Sequence, residues 1–206
     1  MHSKTVFFAD RRFIVQEGVY KPAEDTFLIA ENLQLQPADN VLDIGTGCGI
    51  LAVLSALQAE HVVAVDINPR AVKCAKLNAS LNDVLDDVEV IRGDLLAPLK
   101  DTAAFNVILF NAPYLPTEKE EAREWIDYAW SGGEAGRQVI DRFLAQAPRH
   151  LKPSGRILLV QSTLSNIEKT LSDLRKQGFE AKIARECRAG LETITLIQAN
   201  KGKKAE

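Results

Sequence analysis

Four consecutive residues, Asn111, Ala112, Pro113 and Tyr114, combine types that suit one kind of reaction. The Asn111 side-chain oxygen can accept a hydrogen bond from a substrate NH2 group, while the carbonyl of Ala112 accepts the second hydrogen of the same nitrogen. The nitrogen of a carboxamide or an aromatic amine is a poor nucleophile because its lone pair is delocalised. Held between two acceptors, it is bent toward tetrahedral geometry and lined up with an electrophile, so no strong base is required. Pro113 restrains the backbone that carries the carbonyl, and Tyr114 offers a ring on which a flat group can lie. The bland alternative is a strand running into a proline turn with a core tyrosine, and the residues upstream weigh against it.

Upstream stands "DIGTGCGIL", residues 43–51, with Gly45, Gly47 and Gly49 where the chain must turn tightly and let a ligand approach its amides. Gly47 to Ala52 also satisfy the G-x-G-x-x-A dinucleotide pattern, so the loop alone leaves a nicotinamide cofactor and S-adenosylmethionine both open. Asp66 follows about twenty residues later, where a carboxylate can accept both hydroxyls of an adenosine ribose, a group common to the two cofactors. Asp43 beside the turn suits a cofactor with a cationic amino acid end and a sulfonium and would repel a pyrophosphate. That favours S-adenosylmethionine. Asp94, in "RGDLL", can bond the adenine amino group or serve as a turn or cap residue.

These groups need strands and helices to carry them. Short β-branched runs alternate with helical stretches from residue 41, the pattern of βαβ units around a mostly parallel sheet. The expected strands are "NVLDIG", "HVVAVDI", "VEVIRG", "FNVILF" and "RILLVQS". Pro69 after Asn68 starts one helix. Ser165 with Glu168 forms a capping box for another, with Ile167, Leu171 and Leu174 at helical spacing and Gly178 as the stop. The stretch 179–200 holds two β-rich runs around "RAGLE" with no room for a crossover helix, hence an antiparallel hairpin. The expected fold is therefore α/β, a Rossmann-like seven-stranded sheet, mostly parallel with a C-terminal antiparallel hairpin. Residues 1–40 form an N-terminal extension, in which "KPAEDTFLIAENL" predicts a short amphipathic helix with Phe27, Ala30 and Leu33 inward. Residues 41–200 form the catalytic domain, and 201–206 a frayed polar tail.

Composition limits the possibilities. The 206 residues suit one core, 46% are hydrophobic and 26% charged, and the formal charge of −3 comes with scattered lysines and arginines rather than a basic stripe. The opening "MHSKTVFFADRR" has no apolar signal core, which predicts a cytoplasmic protein. Cys48, Cys74 and Cys187 are too scattered, and the three histidines too unclustered, for a metal site or a disulfide. These cysteines, with His61 and His150, are expected to be structural or surface positions. The segment "PTEKEEAREWIDYAWSGGEAGR", with two tryptophans and three glycines, predicts a substrate-facing loop, its 118–124 part a solvated charge run.

"DIGTGCG", "DINP", "GDLL" and "NAPY" resemble the successive motifs of class I methyltransferases with an NPPY signature. "GVYKPAEDTFLIAENL" and "AWSGGEAGRQVIDRFL" narrow the resemblance to the archaeal and eukaryotic branch of HemK-like methyltransferases, over roughly residues 18–200. That family modifies the glutamine of the GGQ motif in class 1 peptide chain release factors. The resemblance implies that Thr26, Asp43, Gly45, Thr46, Gly47, Gly49, Asp66, Ile67, Asp94, Leu95 and Asn111 contact S-adenosylmethionine. Asn111, Ala112, Pro113 and Tyr114 would hold the glutamine amide. Ala112 departs from the motif's first proline; the carbonyl used there is present in any residue, so rigidity is lost rather than chemistry. The helical N-terminal domain of bacterial relatives has no counterpart in residues 1–40, as expected of the shorter branch. Eukaryotic members of that branch work with a small zinc-containing activator subunit along the third strand, an edge in the usual strand order. Other readings are an adenine-N6 or guanine-N2 nucleic-acid methyltransferase, protein lysine methylation, a nicotinamide dehydrogenase and a non-catalytic cofactor-binding subunit. Neither membrane nor direct nucleic-acid binding is expected.

Overall fold

The structure is a computed structural model that describes residues 3–101, 105–118 and 124–202. Part of the expected charge run, 119–123, and most of the expected tail, 203–206, lie outside those residues. The chain starts with a hairpin that the sequence reading lacks, β1 (Lys4–Phe8) paired antiparallel to β2 (Arg11–Val15). Its two-residue turn, Ala9 and Asp10, has φ of 48° and 57°. That is the conformation usually announced by Asn-Gly or Asp-Gly, and "AD" carries no such signal.

The hairpin is clipped onto the helix that follows β4 (His61–Asp66), namely α3 (Pro69–Leu81). Asn78 of that helix accepts from the Ile14 N–H at 2.8 Å, donates to the Ile14 carbonyl at 2.8 Å and donates to the Cys48 carbonyl at 2.7 Å. One fully buried amide thus ties β2 to the glycine loop. Asn68 caps α3 by accepting from the Arg70 N–H, ahead of Pro69 as the sequence predicts.

The first helix, α1, is shorter than expected, Glu24–Ala30, and is turned differently. Its buried residues are Asp25, Thr26, Leu28 and Ile29, while Phe27 and Ala30 are half-buried; Leu33 is buried as expected but lies beyond the helix end. Phe27 stacks on Phe8 with ring centres 5.0 Å apart, so part of the helix's apolar face is spent on the hairpin.

The main sheet follows the expected pattern. Parallel strands β3 (Asn40–Ile44), β4, β5 (Val88–Arg92), β6 (Phe105–Asn111) and β7 (Leu151–Ser162) are joined through α2 (Ile50–Ala56), α3 and α4 (Gln138–His150). After α5 (Ile167–Lys176), β8 (Phe179–Ala189) and β9 (Glu192–Lys201) complete it as an antiparallel pair. The spatial order is β5-β4-β3-β6-β7-β9-β8, with β5 at one edge. The fifth predicted strand begins earlier than expected, at Leu151. The capping box also moves: Asn166, at φ 55°, caps α5 by accepting from Lys169 N–H, while the Ser165 hydroxyl is buried and donates to the Ser162 carbonyl.

Strand order reverses between β3 and β6, so their C-terminal ends part and open a crevice. The strands leading there are buried on both faces: Val41, Leu42 and Ile44 in β3, and Val107 to Phe110 in β6. Asn78→Ala would take the side-chain partner from the Ile14 N–H and the Cys48 carbonyl, while the Ile14 carbonyl keeps the Cys74 thiol. It should lower unfolding free energy by about 3 kcal/mol in urea titration, with an unchanged m-value.

Candidate active site

The crevice is a cavity of about 950 Å³ whose wall includes Gly45, Gly47, Asp66, Asp94, Asn111 and Pro113. Gly45, Gly47 and Gly49 have φ of 66°, 58° and 84°. The Gly45 and Thr46 N–H groups both donate to the Val65 carbonyl at 2.8 and 3.1 Å, which docks the loop on β4. At Gly49 a Cβ would stand 2.8 Å from the Ala75 Cα, so this glycine is what lets α2 start against α3.

Asp66 closes the loop from the other side. Its Oδ2 accepts from the Gly47 N–H and its Oδ1 from the Asn68 N–H, each at 2.8 Å. Asp43 lies behind the loop rather than on the cavity wall, buried, with its Oδ2 accepting from the Thr46 hydroxyl at 2.6 Å. Burial pushes the Asp43 carboxyl up to about 7, against the pull of the Thr46 hydroxyl and with the aid of the nearby Asp66 charge. Burial also raises Asp66, opposed by the amides of Asn68 and Gly47. The glycine turn is thus flanked by two carboxylates, a setting that welcomes a cation and resists a second anion.

At the far end of the cavity Asp94 is ion-paired to Arg142 of α4, both about half exposed. Next to it Leu95 is buried with φ 51°, a left-handed conformation uncommon for a bulky residue and of the sort that gathers at ligand sites. Ile67, Thr26 and Thr46 also line the cavity.

Asn111 ends β6 at the mouth of the crevice. Its Nδ2 donates to the Thr26 hydroxyl at 3.1 Å, and its Oδ1 is buried with no hydrogen-bond partner. A buried acceptor left without a donor costs on the order of 1–3 kcal/mol, so it points to a donor arriving from a ligand. Pro113 lines the cavity, whereas Ala112 and Tyr114 are buried beside it. The Tyr114 hydroxyl reaches the Asp25 Oδ2 at 3.5 Å. The segment after it folds back: Leu115 and Trp130 to Gly132 exchange main-chain bonds, and the Thr117 and Ser131 hydroxyls meet at 2.6 Å. This places Trp125 and Tyr128 on the cavity wall, with the Arg92 guanidinium 5.7 Å from the Trp125 ring centre.

Sequence reasoning missed Tyr20, Asp25 and Arg142. Tyr20 lines the cavity and donates to Asp25 at 2.8 Å. Asp25 and Tyr114 are 89 positions apart, and no local pattern links them. The "EDTF" run reads locally as an acidic first turn of a helix.

A seven-stranded, mostly parallel sheet with a C-terminal antiparallel pair and a glycine-loop crevice at its reversal point defines the class I methyltransferase fold. The chain matches the profile of the methyltransferase small domain over residues 11–128. It is 39% identical over 183 residues to a Methanocaldococcus jannaschii protein provisionally named a protein N5-glutamine methyltransferase, covering 88% of this chain and 91% of that one. It is 33% identical over 195 residues to the Homo sapiens methyltransferase HEMK2, covering 89% and 90%. In the solved E. cuniculi Mtq2-Trm112 complex, described as responsible for methylation of the eRF1 translation termination factor, one chain superposes with a TM-score of 0.72. That chain is 26% identical, with 90% of this chain and 99% of that one covered. The chain belongs to the methyltransferase small domain family and to its HemK-like branch.

The buried Asp43 gives the unliganded protein a pH signature. Its folded value lies above the unfolded one, so its contribution to stability is full below about pH 4 and is lost as pH rises through about 7. Urea midpoints should fall between about pH 4 and 7, at up to about 1.4 kcal/mol per unit for one proton, and Asp43→Asn should reduce the slope to what Asp66 contributes. A slope that the substitution leaves intact would assign the titration to another group.

Proposed function

We propose that the chain is an S-adenosylmethionine-dependent methyltransferase that modifies the side-chain nitrogen of the glutamine in the Gly-Gly-Gln motif of a class 1 peptide chain release factor. The observation that carries this reading is the unpartnered Asn111 Oδ1 at the cavity wall. The named activities of HEMK-like relatives and of the E. cuniculi complex support the substrate. The reading implies a cytoplasmic enzyme. Among the described residues no helix is long and apolar enough to cross a membrane.

The residues present fit the cofactor. Gly45, Thr46, Gly47 and Gly49 would shape the turn around its amino acid end, with Asp43 supplying negative charge from behind. Asp66 and Ile67 would hold the ribose side, and Asp94 and Leu95 the adenine, Asp94 by giving up part of its pairing with Arg142. Thr26 and Asn111 would complete the wall. When bound, the cofactor supplies an electrophilic methyl group.

The chain's own part is to hold the nucleophile. Asn111 Oδ1 and the Ala112 carbonyl would take the two hydrogens of the glutamine NH2, favouring the tetrahedral nitrogen over the planar one. Pro113 keeps the carbonyl aimed, and Tyr114 bounds the slot. Burial and the Asp25 charge raise the Tyr114 phenol well above its usual range, so it stays protonated and takes no part as a base. The displaced proton leaves to water.

We also read β5 as a docking edge for a small zinc-containing activator subunit. The strand is one of the two edges of the sheet, the other being β8, and it carries the half-buried Ile91, with Leu85 exposed just before it.

The test uses labelled S-adenosylmethionine and a class 1 release factor, with and without Gln→Ala in its Gly-Gly-Gln motif, in the presence and absence of the activator. Label is expected on the unaltered factor only. Asn111→Ala should lower kcat by at least about 10²-fold while cofactor affinity changes little. Label on the altered factor, or full turnover by the variant, would overturn the reading.

A further inference from the structure

The Asn111 amide can sit in its slot two ways, and only one presents an oxygen to a substrate NH2. What selects that way is on the neighbouring helix. Four donors converge on the Asp25 carboxylate: the Thr26 N–H at 2.6 Å and Thr26 hydroxyl at 3.1 Å on Oδ1, and the Tyr20 and Tyr114 hydroxyls at 2.8 and 3.5 Å on Oδ2. A carboxylate receiving four donors is an acceptor only. The Thr26 hydroxyl has one proton, and it is given to Asp25. Towards Asn111 that hydroxyl can therefore only accept, which draws Nδ2 to it and turns Oδ1 the other way. The reversed amide would set two oxygens against each other with no proton between them, and would offer NH2 to NH2. Asp25 and Thr26 are 4% and 5% exposed, so both links are largely screened from bulk water.

We infer that Asp25, acting through the Thr26 hydroxyl, is the positioning group that fixes the orientation of the Asn111 amide and so creates the acceptor for the substrate nitrogen. The inference rests on the glutamine reading above for its consequence in catalysis, but the orientation itself exists without any substrate. The same carboxylate gathers the Tyr20 and Tyr114 hydroxyls, so the amide slot and the aromatic wall are set from one point. Burial first, and then the Asp25 charge, push both phenols upward, which keeps them donors to it.

The experiment compares Thr26→Val, which keeps shape and removes the hydroxyl, with Thr26→Ser, which restores it. In protein labelled with 15N-asparagine and free of substrate, the Asn111 side-chain pair is identified by its loss in Asn111→Ala. Parent and Thr26→Ser should show one amide proton shifted downfield and slow to exchange, a signature absent in Thr26→Val. Asp25→Ala releases the Thr26 proton towards Asn111 and should change the same resonances; where that variant fails to fold, Thr26→Val carries the test. In turnover, Thr26→Val should lose about 10²-fold in kcat, with KM for both substrates within about threefold, and Thr26→Ser should recover most of it. Unchanged Asn111 resonances in Thr26→Val would overturn the inference, as would an unchanged kcat or a loss confined to cofactor affinity. A parent that leaves glutamine unmethylated would instead overturn the proposed function, with the amide spectra still deciding the orientation.

Discussion

The Asp66 carboxylate is the joint on which the cavity depends. Its two oxygens take the N–H groups of Gly47 and Asn68, fastening the glycine loop to the turn that starts α3. Asn68 then donates through its side chain to the Gly18 carbonyl, and Asn78 one helix-length on grips Ile14 and Cys48. Loop, helix and N-terminal segment are thereby one hydrogen-bonded unit. That segment delivers Tyr20, Asp25 and Thr26 to Asn111, so the glycine-loop end and the Asn111 end of the crevice are positioned by the same α3 anchor. A carboxylate this buried is tolerated because backbone donors meet it on both oxygens.

The five parallel strands and the C-terminal hairpin were legible in the sequence because strands buried on both faces read as continuous β-branched runs, and glycines after such a run mark a ligand turn. Of the four residues Asn111 to Tyr114, Asn111 and Pro113 reach the crevice, while Ala112 and Tyr114 are buried beside it. The β1–β2 hairpin was hidden by a turn through Ala9 and Asp10 that lacks the usual glycine. The cap of α5 fell on Asn166 rather than Ser165 because the Ser165 hydroxyl is buried, accepting from the Gln161 side-chain NH2 and donating to the Ser162 carbonyl. The depth of Asp43 was not legible: it lies behind Thr46, not on the wall. Asp25 was illegible because its meaning resides in Asn111 and Tyr114, which only the closed fold brings near.

The chemistry assigned to the site asks little of acids and bases. Among the described residues linked to Asn111, Tyr20 and Tyr114 carry phenols that burial keeps protonated, and the Asp25 carboxylate is taken up by four donors. Orientation has to do what basicity does elsewhere, and orientation is what a converging set of short, buried hydrogen bonds supplies. The replacement of the motif's first proline by Ala112 fits the same logic, since the carbonyl is still braced by Pro113 and by the Ala112 N–H bond to Val160.

The most direct test of this account is a crystal structure with S-adenosylhomocysteine and a peptide containing Gly-Gly-Gln. The account predicts the glutamine NH2 within hydrogen-bond distance of both Asn111 Oδ1 and the Ala112 carbonyl, its nitrogen facing the cofactor sulfur, with Asn111 Nδ2 still on Thr26. A glutamine bound elsewhere in the cavity, or an Asn111 amide turned with its nitrogen toward the peptide, would contradict it.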